Sequence, residues 1–213
     1  MDRFDSSKNH LVSKQHFAII PAAGLSLRMR GPNKLILPWR DNRPILAHCL
    51  QAWQQSQVTK VVIVVKMEDR DITDLCTQFP KTEVAAVKSV QQDMRASIDF
   101  GLSHLECSQT LCPEDRWLVA PADLPTLSAD IINAVCTAAE STKLPVVPFY
   151  GAKQGHPVSL GIEHIKSFRD IPVDHGLNSI LQEGSYEKLD LPSSWRPRDM
   201  DTRQEYEARL RGN

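Results

Sequence analysis

The chain has 213 residues, of which 41% are hydrophobic, 24% charged and 6% aromatic, which is typical of one globular domain with a buried core. This composition excludes a disordered or fibrous protein. Lys and Arg total 25 against 26 Asp and Glu, so the formal net charge is -1 and does not favour nucleic acid or an anionic membrane as a partner. We therefore expect any polyanion to be held by local groups.

The apolar runs are short, and the longest cover residues 17–20 and 61–65, whereas a membrane helix needs roughly 20 residues. We expect no membrane span. Residues 1–15 are polar and lack a secretion signal, which predicts a flexible N-terminal segment and a cytoplasmic protein. The five cysteines form no C-x-x-C pair, which argues against disulfides and a zinc site, and we expect most of them to be small core residues.

Short strand-like runs alternate with segments of helical period along the chain. The strand-like runs are residues 16–22, 60–66, 84–87, 117–120 and 145–149, and the helical segments are 45–54, 71–79, 94–105 and 129–139. This alternation predicts an α/β fold with a mostly parallel sheet between two layers of helices, in a single domain over residues 16–213. The run Val-Val-Ile-Val-Val at 61–65 predicts a central strand buried on both faces.

Two helix starts are marked by capping residues. Ser128 precedes the periodic run from Ile131, and Thr202 stands three residues before Glu205 in a capping box that opens the last helix. In open α/β sheets ligands bind at the carboxyl ends of the strands. The loops that follow the strands are therefore the places to look for chemistry.

The loop after the first strand has the composition of a phosphate-binding loop. Small residues at positions 22–24 allow a ligand to approach the backbone N–H groups, and Ser26 follows them. Arg28 can bind phosphate oxygens bidentately, and Lys34 supplies a point charge. The loop contains neither G-x-x-x-x-G-K-[ST] nor G-x-G-x-x-G. The alternative interpretation is a surface loop whose basic residues are solvated.

The predicted strand at 117–120 leads into Asp123. Magnesium prefers one or two carboxylates together with substrate phosphates, so Asp123 is a candidate ligand of Mg²⁺. An aspartate that caps its own turn is the alternative.

The segment Ala22-Ala23-Gly24-Leu-Ser-Leu-Arg-Met29, with Lys34 close behind, resembles the opening motif of the nucleotidyltransferases of the molybdenum cofactor, especially the cytidylyltransferases. Pro21 and Arg30 depart from that motif, which has Leu or Thr and Gly there. Relatives that transfer guanylate show A-G-G at residues 22–24, so the resemblance implies CTP over GTP.

Further segments resemble the same family in chain order up to Tyr206. Asp123-Leu-Pro-Thr-Leu is similar to the family's metal-binding turn, and the segment at 199–206 implies Asp201 as a second Mg²⁺ ligand. The partial match at 92–102 implies that Ser97 helps to hold the nucleotide together with Ala22, Ala23, Gly24, Ser26, Arg28 and Lys34.

The acceptor side of the site is implied by two weaker matches. Gly155-His156-Pro157-Val158 looks like the family's G-H-P-V motif, and Asp174 begins a segment that partly resembles G-D-x-G-A-R. From the residues alone, His156 can equally be a turn residue and Asp174 a helix N-cap. Arg95 departs from the family pattern. Its charge can meet a phosphate or lie in solvent, and of these two we expect solvent.

The resemblance implies magnesium-dependent transfer of CMP from CTP to the phosphate of molybdopterin, with release of pyrophosphate. In this interpretation Lys34 acts at the α-phosphate, Arg28 at the pyrophosphate and Asp123 and Asp201 at the metal. A molybdenum hydroxylase apoenzyme is then a plausible recipient of the product. Two alternatives are a nucleotidyltransferase for a sugar or polyol phosphate, and a non-catalytic module that binds and delivers nucleotide or cofactor.

Overall fold

The computed structural model describes residues 14–24, 33–88, 93–172, 175–183, 185–200 and 203–210. The strands are β1 (His16–Pro21), β2 (Lys60–Lys66), β3 (Thr82–Val87), β4 (Arg116–Val119), β5 (Val146–Tyr150), β6 (Lys153–Gln154), β7 (Val158–Gly161) and β8 (Glu187–Leu191). The helices are α1 (Ile45–Gln55), α2 (Arg70–Cys76), α3 (Met94–Ser108), α4 (Ala129–Glu140), α5 (His164–Asp170), α6 (Leu177–Glu183) and α7 (Arg203–Leu210).

One mixed sheet runs through the molecule in the order β3-β2-β1-β4-β7-β5-β6, and β8 pairs with β5. Strands β1 to β4 pair in parallel, as do β5 and β8. Strand β7 is antiparallel to both β4 and β5. The predicted α/β fold with a mostly parallel sheet is confirmed. Its antiparallel part was not predicted, because β6 and β7 have only 2 and 4 residues.

Strand β2 lies between β1 and β3, and residues 61–65 are fully buried, as the continuous apolar run predicts. Its side chains alternate between two cores. Val61, Ile63 and Val65 pack on one face with residues of α1, α2 and α4, whereas Val62 and Val64 pack on the other with residues of α3 and α5. The helices therefore form two layers with the sheet between them.

The capping and cysteine predictions have different outcomes. Ser128 accepts a hydrogen bond from the Ile131 N–H at 3.4 Å and begins α4, as predicted, whereas Thr202 lies outside the described residues. Cys49, Cys76 and Cys136 are buried core residues, but Cys107 is exposed and Cys112 is half-buried. Three of the five are therefore core residues, which confirms the prediction for most of the cysteines.

Most of the predicted N-terminal segment, residues 1–13, lies outside the described part of the chain. Gln15 is attached to the domain, since its N–H donates to Asp115 Oδ1 at 2.9 Å and its carbonyl accepts from the Arg116 N–H at 2.9 Å. Among the described helices, none has the length and apolar character to cross a membrane.

Gly101 sets the distance between α3 and the sheet. A Cβ atom there would stand 2.8 Å from Ile19 Cγ2 and 3.0 Å from Val64 Cγ2, and both of these residues are fully buried. We expect Gly101→Val to lower the free energy of unfolding by about 1–3 kcal/mol, because overpacking forces these side chains or the helix to move. Urea denaturation measures the effect, and Cys107→Val, on the exposed face of the same helix, serves as the control. Equal midpoints for the two variants would contradict this account of the packing.

His16 makes the stability of the fold depend on pH. Its ring is buried, and neither nitrogen has a hydrogen-bond partner among the described residues. Burial lowers the pKa of His16 below 6.5 despite Glu140 Oε1 at 3.9 Å. The folded state therefore binds this proton less readily than the unfolded state, so the folded state loses stability as pH falls below about 6.5. We expect His16→Leu to remove this part of the pH dependence. Urea denaturation at pH 7.5 and pH 5 should show a smaller loss for the variant, and equal losses would refute the assignment.

Candidate active site

Strands β1 and β4 are parallel neighbours, so the loops that follow them start at the same edge of the sheet. After β1, the Ala22 N–H continues the ladder to Val64 O at 2.8 Å, and Ala23 is fully buried. Gly24 is exposed, and among the described residues other than its chain neighbours no heavy atom lies within 4 Å of the position that a Cβ would take. The backbone at Gly24 is therefore open to the approach of a ligand.

The structure places Lys34 against Asp123. Lys34 Nζ donates to Asp123 Oδ2, and the two side chains are only 19% and 10% exposed. Asp123 Oδ1 is buried and has no hydrogen-bond partner among the described residues. A buried carboxylate oxygen without a partner is costly, and a cation is a suitable partner for it. One oxygen of Asp123 is therefore open to a divalent metal ion, and the described residues add no group of three or more His, Cys, Asp or Glu side chains that could complete its coordination.

The position of Lys34 depends on its neighbours. Asn33 caps the short 3₁₀ turn Lys34–Ile36, since its Oδ1 accepts from the Leu35 N–H at 3.1 Å, and its Nδ2 donates to Asp69 at 3.4 Å. Leu35 itself is buried in the core. Sequence analysis missed Asn33, although an asparagine that starts a turn is a common signal.

The segment Gly155-His156-Pro157 forms a bulge opposite β5. Phe149 pairs with Gln154 and Val146 with Ser159, so the segment between β6 and β7 holds more residues than the facing part of β5. A Cβ at Gly155 would overlap the ring of Tyr150, whose hydroxyl donates to His156 O at 3.4 Å. Only glycine therefore fits against this tyrosine without a shift.

His156 lies on the side of Asp123 because β7 runs antiparallel to β4, with Val119 opposite Val158. Burial lowers the pKa of His156 below 6.5, and the nearby Asp123 and Asp199 carboxylates oppose that effect. Its Nδ1 is buried without a hydrogen-bond partner among the described residues. The imidazole is therefore held in its neutral form beside the carboxylate.

The other predicted site residues are spread more widely. Ser97 is buried in the first turn of α3. Asp93 caps this helix, and its side chain accepts a hydrogen bond from the Ala96 N–H at 2.7 Å. Within the described residues no hydrogen bond joins Ser97 to Lys34 or Asp123. Ser26, Arg28, Asp174 and Asp201 lie outside the described residues.

The expectation for Arg95 is wrong. Its guanidinium donates to the carbonyls of Phe168, Arg169 and Ile171 at 3.3, 3.1 and 2.8 Å, and lies 5.6 Å from the centroid of the Phe168 ring. The last carbonyls of a helix lack partners within the helix and carry partial negative charge. Arg95 thus joins the start of α3 to the end of α5 instead of lying in solvent.

A profile of the MobA-like NTP transferase domain matches residues 18–189. The chain belongs to the MobA-like NTP transferase family. This confirms, at the level of the family, the resemblance found in the sequence. The match covers β2 to β7 in full, part of β1 and of β8, and both members of the Lys34–Asp123 pair, and it places the chain among nucleotidyltransferase domains.

Two curated relatives are similar to part of the chain. The 2-C-methyl-D-erythritol 4-phosphate cytidylyltransferase of Dehalococcoides mccartyi is 31% identical over 112 residues, or 51% of this chain and 49% of the relative. The bifunctional protein GlmU of Syntrophomonas wolfei is 27% identical over 112 residues, or 53% of this chain and 23% of the relative. The matched part thus spans about half or less of these relatives.

Solved structures share the fold over nearly the whole chain. Rv0371c from Mycobacterium tuberculosis has a TM-score of 0.76 at 20% identity, covering 93% of this chain and 99% of its own. A complex of Rv0371c with manganese has a TM-score of 0.73 at 18% identity with the same coverage. A 4-diphosphocytidyl-2C-methyl-D-erythritol synthase has 0.73 at 16% identity, again covering 93% and 99%. At these identities the likeness establishes the fold.

The Lys34–Asp123 pair can be tested by a double-mutant cycle. Either Lys34→Met or Asp123→Asn alone leaves a mostly buried charge without this partner, whereas the double variant removes both charges. We expect a coupling free energy of about 1–3 kcal/mol, with the double variant more stable than the two single losses predict. Urea denaturation of the four proteins measures it, and additive losses would show that the pair contributes nothing.

Proposed function

We propose that the protein is a nucleotidyltransferase that transfers CMP from CTP to the phosphate of molybdopterin and releases pyrophosphate. The observation that carries the proposal is the buried Lys34–Asp123 pair, with its free carboxylate oxygen, at the carboxyl edge of a MobA-like NTP transferase fold. The similarity to a cytidylyltransferase and the Ala22-Ala23-Gly24 sequence support CTP as the donor.

In the proposed reaction, an oxygen of the acceptor phosphate attacks the α-phosphorus of CTP. A new P–O bond forms, and the bond between the α-phosphorus and the bridging oxygen breaks, so that pyrophosphate leaves with the electron pair. Such a reaction needs positioning and charge neutralisation more than covalent participation by the protein. Lys34 supplies positive charge at the α-phosphate, and the open backbone at Gly24 faces the triphosphate.

We assign Asp123 and Asp201 as the carboxylates that hold Mg²⁺. When bound, this ion would neutralise charge on the triphosphate oxygens. The unpartnered Oδ1 of Asp123 fits that role, and Oδ2 stays with Lys34, so the same carboxylate can serve both cations. Arg28 is assigned to the pyrophosphate, Ser97 and Ser26 to the nucleotide, and Asp174 with the 155–157 segment to the acceptor.

A second candidate acceptor is a sugar or polyol phosphate. It is favoured by the relative at 31% identity, whose name describes a cytidylyltransferase of an erythritol phosphate. The donor chemistry and the residues that perform it are the same in both cases. If the acceptor is molybdopterin, a molybdenum hydroxylase apoenzyme is the partner that would receive the product.

The proposal is tested by measuring pyrophosphate release with Mg²⁺, with CTP compared with GTP, ATP and UTP, each with and without molybdopterin. We expect release only with CTP and molybdopterin together, and loss of release after EDTA treatment. Release with 2-C-methyl-D-erythritol 4-phosphate in place of molybdopterin would support the second candidate. Nucleotide binding without release under any combination would favour a delivery module.

The role of Asp123 is tested by Asp123→Asn. Loss of both the metal ligand and the partner of Lys34 should lower turnover by about 100-fold or more. Asp74→Asn, an exposed substitution on α2, carries the same chemical change away from the site and should retain full turnover. Circular dichroism checks that both variants are folded. A fully active Asp123→Asn enzyme would contradict the metal assignment.

A further inference from the structure

A cationic cleft lies beside the candidate active site. It has a volume of about 470 Å³ and is lined by Lys153, Arg196 and Arg198, the hydroxyls of Ser193 and Ser194, and also by Tyr150, Pro197 and Asp199. Asp199 is the one acidic residue in this lining, so the lining has a formal charge of +2. The whole chain has a net charge of -1, so the concentration of positive charge here is local.

The three cations of the cleft are available to a ligand. Within the described residues, the side chains of Lys153, Arg196 and Arg198 have no hydrogen bond or salt bridge to a protein group, and all three residues are exposed. Elsewhere in the structure the arginines that face neighbouring elements are engaged, as Arg95, Arg116 and Arg169 are. The cleft thus presents unneutralised charge together with hydroxyl donors.

The backbone that carries these residues is well fixed. Tyr150 and Leu191 pair at the ends of β5 and β8, and the Ser193–Trp195 3₁₀ turn is closed by the Arg196 N–H on Ser193 O at 3.3 Å. The Arg198 N–H donates to Thr126 Oγ1 at 2.9 Å. A fixed backbone reduces the entropy that binding would cost.

The position of the cleft relates it to the acceptor side of the site. Strand β5 is parallel to β4, because both are antiparallel to β7. Tyr150, the last residue of β5, therefore lies at the same edge of the sheet as the end of β4, which leads to Asp123. The Tyr150 hydroxyl then donates to the carbonyl of His156. The side chain of Tyr150 therefore both lines the cleft and contacts the bulge beside Asp123.

We propose that this cleft binds a phosphate-type anionic group of the acceptor substrate, through the side chains of Lys153, Arg196 and Arg198. Arginine guanidinium groups bind oxyanions of this kind bidentately, and lysine adds a point charge. The inference rests on the proposed function for the identity of the acceptor. The anionic group is either the reacting phosphate or a second charged group of the same molecule.

The fluorescence of Trp195 can measure binding in the cleft without turnover. Trp195 is 42% exposed and adjoins Arg196, whereas the other three tryptophans are at most 4% exposed. A collisional quencher therefore acts mainly on the fluorescence of Trp195. At constant ionic strength, inorganic phosphate and glycerol 3-phosphate should protect Trp195 from iodide more than from neutral acrylamide. Lys153→Gln and Arg196→Gln should each raise the phosphate concentration that gives half of this protection roughly 10-fold.

Lys143→Gln is the matched control, because it removes one exposed cation from the loop before β5, at the opposite end of that strand. It should leave the affinity for phosphate unchanged. Equal protection in all variants would show that phosphate acts only by screening and would overturn the proposal. Protection by CTP that displaces glycerol 3-phosphate from the cleft would assign it to the donor and would equally overturn the proposal.

Kinetics then separates this inference from the proposed function. Arg196→Gln should raise the KM for the acceptor roughly 10-fold and leave the KM for CTP unchanged. If transfer occurs but the acceptor KM of this variant is normal, the cleft assignment fails and the proposed function stands. If no transfer is found with any acceptor while phosphate protection depends on Lys153 and Arg196, the proposed function fails and anion binding in the cleft stands.

Discussion

The contact on which the site depends is the ion pair between Lys34 and Asp123, which joins the chain after β1 to the chain after β4. Both side chains are mostly buried, so neither charge is well solvated and each depends strongly on the other. Their positions must therefore be fixed by buried residues next to them in the chain. Leu35 is anchored in the core next to Lys34, and Ala122 and Leu124 are buried on either side of Asp123. The hydrophobic core thus sets the geometry of the charged groups, and one carboxylate oxygen remains available for a cation.

The change of strand direction at β7 is the second feature that shapes the site. Had β7 been parallel to β4, the Gly155-His156-Pro157 segment would start at the opposite edge of the sheet. Because β7 is antiparallel, its first residues lie beside the last residues of β4, and His156 comes close to Asp123. One side of the candidate site is thus built from loops that follow parallel strands, and the other side is built from a bulge that precedes an antiparallel strand. The same reversal makes β5 end at this edge and brings Tyr150 to His156.

Much of the fold could be predicted from the sequence, because a strand buried on both faces, such as β2, shows a continuous apolar run, and an amphipathic helix, such as α4, shows a helical period. Lys34 and Asp123 could be selected as candidate site residues from their positions after strands, but their contact depends on strand order, which no local pattern encodes. Arg95 shows the limit most clearly. Its partners are carbonyls about 75 residues away, and backbone carbonyls leave no signal in side-chain sequence. The cleft was missed for a related reason, since β6 and β8 are too short or too polar to stand out.

The C-terminal part of the chain connects the cationic cleft, the Asp123 loop and the turn that carries Lys34. Met200 and Tyr206 pack against Trp39 and Ile45, close in sequence to the turn that carries Lys34, and the Tyr206 hydroxyl donates to Pro38 O. A few residues earlier, the Arg198 backbone bonds to Thr126, just after Asp123. The segment from 193 to 200 therefore borders the cationic cleft, contacts the Asp123 loop and ends in a cluster behind the Lys34 turn. Because its apolar anchor and its charged residues belong to one short stretch, loosening the anchor at Met200 would disturb the cleft and the ion pair together, whereas removing a cleft cation would leave the anchor intact.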